Sequence, residues 1–214
     1  MRPCALSICL VFFVFVGINA HIIQAQQTES NSEEILKAAI IDFDGKRFEK
    51  CLASLNRAIE INHNGELSDI LYYYRALTYV KLDNDAEALK DLDTAVYFNN
   101  KKLNYLNLRS DLKMRMLNFE EALADIEKVL SIDASDQSAL LNKGIIIQER
   151  GDATTALKFY SKVIELNADN TIALYLRGML YLQNLMPENG CADLKKSMEN
   201  GSKEAADALK RYCK

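Results

Sequence analysis

The chain has 214 residues, 49% hydrophobic and 26% charged, with 8 Gly, 2 Pro and no Trp, a balance that excludes a disordered tail or a fibrous or linker protein. A formal charge of −4, with Lys and Arg scattered along the chain, excludes a strongly basic nucleic-acid face. Only two His are present, His21 and His63, too few for a His-rich metal site or a His-based triad.

Residues 1–25 read as a secretory signal peptide. Arg2 gives a positive start, the run from Ala5 to Ile18 is almost purely apolar, and small residues follow at Ala20 and Ala25 before the polar stretch Gln26 to Ser32. The apolar run falls short of the ~20 residues that span a bilayer as a helix. Cleavage after Ala25, or alternatively after Ala20, is therefore expected, with no transmembrane segment left behind. The expected location is periplasmic or extracellular, an oxidising setting in which cysteines able to meet can be bridged. Cys51, Cys191 and Cys213 remain after cleavage.

Beyond the leader the sequence repeats every 34 residues. Large residues recur at Tyr72, Leu106, Leu140 and Leu174, followed four residues later by the small Ala76, Ser110, Gly144 and Gly178. A second small column runs through Ala88, Ala122, Ala156 and Gly190, with Leu92, Ile126, Tyr160 and Leu194 behind it. An earlier copy matches after a three-residue slip in the loop around His63, Asn64 and Gly65, which places Cys51 in the small column as a buried free thiol. Apolar residues within each copy fall at i, i+3, i+4, i+7, the helical spacing, and breaks at Asp83-Asn84, Asn118, Gly151-Asp152 and Met186-Pro187 divide the copies into two helices each. Helix pairs this short cannot bury their faces alone, so the copies must stack.

This pattern resembles the tetratricopeptide repeat (TPR), most clearly in Ser138 to Asn170. The resemblance implies an all-α superhelix, a TPR-like solenoid of five repeats at 32–65, 69–102, 103–136, 137–170 and 171–204, with a capping helix over 203–214. Asp42 and Lys113 depart from the family's usual aromatic at their position.

Arg75, Arg109 and Arg177 share one column, and Asp91, Asp125 and Asp193 stand sixteen residues on; where the first column holds Lys143, the second holds Phe159. This joint presence predicts Arg–Asp pairs joining the two helices of a repeat, the alternative being two independent solvated faces. After the helix-stopping Asn200-Gly201 comes a last amphipathic helix. Cys191 and Cys213 lie nearly equidistant from that turn, which in a helical hairpin predicts a disulfide over two free thiols.

No catalytic motif is found: no CxxC, HExxH, GxSxG or phosphate-cradling Gly loop occurs. No enzyme activity, cofactor or metal is expected. By resemblance, the inner wall of the superhelix comes from the first helix of each repeat and includes Leu36, Ile40, Tyr73, Leu77, Asn107, Leu141, Ile145, Tyr175 and Met179. Such a wall implies a scaffold that takes a peptide or helix of a partner protein in its groove, unless the groove is filled by its own side chains. The alternative function is a structural component of a cell-envelope assembly, acting by self-association or lateral stacking.

Overall fold

The computed structural model describes residues 30–62 and 65–213, so the signal-peptide reading and the loop at His63 and Asn64 lie outside the described residues. Eleven helices are found among the described residues, and no strand. They divide into two compact units between Asn100 and Lys101. The first holds α1 (30–44), α2 (Phe48–Ile61), α3 (Ser68–Lys81) and α4 (Asp85–Phe98). The second holds α5 (Leu103–Arg115), α6 (Phe119–Ile132), α7 (Gln137–Glu149), α8 (Ala153–Leu166), α9 (Thr171–Gln183), α10 (Pro187–Glu199) and α11 (Lys203–Tyr212).

Each odd helix packs on the even helix that follows it, and α2–α3, α6–α7 and α8–α9 pack across from one pair to the next. The small columns are where the axes approach. Ala76, Ala88, Ser110, Ala122 and Ala156 are all fully buried. Gly144 is required by its neighbour: a Cβ there would lie 2.7 Å from Cε1 of Tyr160, whose ring fills the space taken by a smaller residue in the other pairs. Leu36, placed on the inner wall by the sequence reading, is instead 6% exposed and belongs to the core with Ala39, Cys51 and Leu55. The reason is helical phase: Ser32, Leu36 and Ala39 form one buried i, i+4, i+7 stripe on α1.

The turns inside the pairs share one device. The N–H three residues past the helix bonds back to a carbonyl five residues earlier: Arg47 to Asp42, Asn84 to Tyr79, Asn118 to Lys113, Asp152 to Ile147 and Met186 to Tyr181, at 2.8–3.2 Å. This is the Schellman closure, which needs a left-handed residue in the middle. Gly151 serves in one turn (φ 86°), but Lys46, Asp83, Leu117 and Leu185 serve in the others at φ 55–62°. Side-chain caps then start several helices: Asn84, Asp136, Asp152, Asn170 and Ser202 each accept from the N–H three residues on. Pro187 opens α10, where its missing N–H costs nothing.

Candidate functional site

The odd helices carry the residues that the sequence reading expects on an inner wall, and polar locks fix how α3, α5, α7 and α9 are turned. Arg75 Nε and Nη2 donate to the two carboxylate oxygens of Asp91, both at 2.7 Å, joining α3 to α4. Its Nη1 donates to Asn56 Oδ1 at 2.9 Å, so the same guanidinium also reaches back to α2. Arg177 repeats the arrangement with Asp193 on α10 and Ser161 on α8. Arg109 grips Asp125 in the same two-pronged way, with Lys113 donating to that carboxylate at 3.0 Å. These side chains are largely buried, the arginines 16–19% exposed and Asp91 and Asp125 less than 10%. A planar fork on a carboxylate is directional, so it sets helix rotation and register more than net stability.

In the fourth pair the lock is rebuilt from other chemistry. Lys143 Nζ sits 5.3 Å from the centroid of the Phe159 ring on α8 and donates to Glu127 on α6 at 2.6 Å. The two departures from the aromatic column are also explained. Asp42 is buried and accepts from Arg47 Nε at 2.8 Å, which holds its carboxyl below the usual carboxylate range; Lys113 is buried against Asp125. The third partners, Asn56, Glu127 and Ser161, were missed in the sequence. They too recur at the repeat spacing, and that polar column was the available signal.

In the first unit, Ile40, Tyr73 and Leu77 are half-buried, with Ile40 packed on the core around Leu36. In the second unit a polar ladder runs along the odd helices. Asn107 Nδ2 donates to the Asp136 carboxylate at 3.1 Å, Asn142 to Asp111, and Asn170 to Gln137 at 3.3 Å. Burial pushes the Asp111 carboxyl up. Asn107 is thus engaged in tying α5 to the start of α7. Leu141 and Ile145 on α7 are half-buried and pack beside Ala156, Tyr160 and Leu180. Tyr175 and Met179 on α9 pack beside Leu194 and the first turns of α11.

A recess of about 500 Å³ opens between Ile145 on α7, Ile172, Tyr175 and Leu176 on α9, and the turn Asn200–Ser202. A smaller one of about 230 Å³ is bordered by Tyr175, Met179 and the α11 residues Glu204, Asp207 and Arg211. The α11 helix therefore stands beside Tyr175 and Met179, the α9 residues of the expected wall. Cys191 and Cys213 are bridged, their Cα atoms 5.8 Å apart, and Cys51 is buried and unbridged with burial raising its thiol pKa. Among the described residues, no group of three or more His, Cys, Asp and Glu could hold a metal ion, and no helix is long and apolar enough to cross a membrane.

These features define a helical-repeat scaffold with an apolar, partly recessed face. No family model matches the chain. It is 24% identical over 135 residues to the TPR repeat-containing protein MJ1428 of Methanocaldococcus jannaschii, a match covering 63% of this chain and 23% of that protein. The chain thus spans about a quarter of the curated relative it matches. Among solved structures, YrrB, a TPR protein with an unusual peptide-binding site, is similar with a TM-score of 0.65 at 18% identity over 87% of this chain and 99% of that one. PilW, a widely conserved type IV pilus biogenesis factor, gives 0.69 at 18% identity over 79% and 77%. PilF of Pseudomonas aeruginosa gives 0.71 at 12% identity over 86% of each chain. The chain shares the all-α solenoid fold of tetratricopeptide-repeat structures.

Proposed function

We propose that the protein is an exported, non-catalytic scaffold that binds a segment of a partner protein on the wall formed by its odd helices. One observation carries this reading: Ile145, Tyr175 and Leu176 are half-buried apolar residues bordering a recess large enough for a bulky side chain. An extended peptide or an amphipathic helix laid along α7 and α9 would place its apolar residues there. Tyr175 supplies contact area at low entropic cost. Asn107 acts through the ladder that holds α5 and α7, and Ile40, Tyr73 and Leu77 form the corresponding wall of the first unit. Export is supported by the apolar leader pattern in residues 1–25 and by a disulfide, which oxidising compartments preserve.

The reading is tested by selecting ligands from a displayed peptide library. Selected peptides are expected to weaken by about 2 kcal/mol or more on Ile145→Ala or Tyr175→Ala, with helix content unchanged by circular dichroism. Peptides indifferent to both substitutions, or no selected peptide, reject the face. A second reading, a component of a cell-envelope assembly, is favoured by the shared fold with PilW, a pilus biogenesis factor. It requires self-association or lateral stacking, and a molar mass by light scattering that stays monomeric as concentration rises removes the self-associating form.

A further inference from the structure

Helix α11 is weakly held by its own side chains. It has ten residues, below the length at which an isolated helix persists in water. Its buried positions are Ala205 and Ala208, with almost no side chain to contribute, and Leu209 is only partly covered. What lies beneath is larger: Leu194 is shut off from solvent, and Tyr175, Met179 and Leu182 pack into the same cluster. A short helix with a small-residue face thus shields a bulky apolar surface. The missing restraint is the Cys191–Cys213 bridge, which ties the second turn of α10 to the residue just past α11, 22 positions on. Both cysteines are only half-buried, so a thiol can reach the sulfurs.

We propose that α11 is a disulfide-latched lid over the α9 end of the partner-binding face, released by a dithiol reductant. The inference rests on the reading of that face given above and adds its control. One thiolate of the reductant attacks a sulfur of the bridge, and its second thiol then resolves the mixed disulfide. The cysteine pair gains two electrons and two protons and leaves as two thiols, while the reductant becomes a disulfide. With the bridge open, the lid regains the chain freedom that closing a loop of this length removes, equivalent to about 100-fold in its opening equilibrium. Tyr175, Met179, Leu182 and Leu194 are then available to the partner.

Hydrogen exchange on the full chain, with and without dithiothreitol, tests the latch. The amides of α11 are expected to exchange about 100-fold faster after reduction, while those of α7 to α9 keep their protection and Cys51 stays inaccessible to alkylation. A C191S/C213S double variant should behave like the reduced protein without any reductant. Unchanged protection of α11 after reduction overturns the proposal, as does joint loss of protection in α9, α10 and α11. These readouts need no ligand, so they stand apart from the peptide selection. A selected peptide that depends on Tyr175 should bind the reduced form at least tenfold more tightly; equal affinity with α11 demonstrably released means the helix is no lid.

Discussion

At Leu117 and Leu185 the backbone sits in the left-handed region, at φ 62° and 59°, while the side chains are 74% and 89% exposed. An L-residue is disfavoured there by about 1–2 kcal/mol, and glycine is not. Leu117→Gly and Leu185→Gly are each expected to stabilise the protein by about 1 kcal/mol, read as a raised Tm; the reverse change, Gly151→Ala, has open space around its Cβ but meets the same backbone penalty and should lower it. The sequence marks where these turns fall but not which residue is left-handed, because leucine and lysine carry none of the local chemistry that favours that conformation. The Arg–Asp columns were legible for the opposite reason. Both members appear and disappear together within one chain, and the structure brings Arg75, Arg109 and Arg177 onto Asp91, Asp125 and Asp193. Their neighbours Asn56 and Ser161 stand in a polar column at the repeat spacing, but the spacing marks only the column, and the packing shows that a third hydrogen bond of the fork reaches them.

Where α9 crosses α10, two glycines face each other. A Cβ on Gly190 would stand 2.8 Å from the Gly178 carbonyl oxygen and 2.8 Å from Leu182 Cγ, and one on Gly178 would stand 3.0 Å from the Gly190 oxygen. Backbone cannot give way as a side chain can, so Gly190→Ala is expected to cost about 1–3 kcal/mol in chemical denaturation despite alanine's better helix propensity. The start of α8 supplies a pH dependence. Bonds from the Thr155 side chain and backbone N–H hold the Asp152 carboxyl below its ordinary value. A lowered folded value means the contribution is present above about pH 4 and fades as pH falls through the folded pKa. Asp152→Asn keeps an accepting oxygen at the cap, so its acid unfolding curve, followed by circular dichroism, should lose that component while neutral stability is nearly retained. The helices themselves were readable from period and breaks, since one buried stripe per helix must recur wherever pairs stack.

Within each unit, stacked pairs depend on their sequence neighbours, and this is why a 34-residue spacing was enough to indicate the architecture. The wall was less legible than the scaffold. Its positions follow from helix phase, which the first helix breaks: Leu36 turns inward with Ser32 and Ala39. At the other end, Tyr175 and Met179 occupy wall positions yet share a cluster with α11, because a terminal helix can fold over either side of the pair before it. Spacing alone does not say which.

Tyr160 is fully enclosed, and its hydroxyl donates to Gln148 Oε1 at 2.8 Å. Burial drives its phenol far above the ordinary range near pH 10. The unfolded chain therefore surrenders this proton first, and the packing of the fourth pair weakens as alkalinity rises. With ten tyrosines and no tryptophan, phenolate absorbance is not hidden by indole. A spectrophotometric base titration should show the Tyr160 ring ionising only as the chain unfolds, and Tyr160→Phe should shrink that delayed step by one phenolate: the molecule carries an intrinsic optical gauge of its own interior.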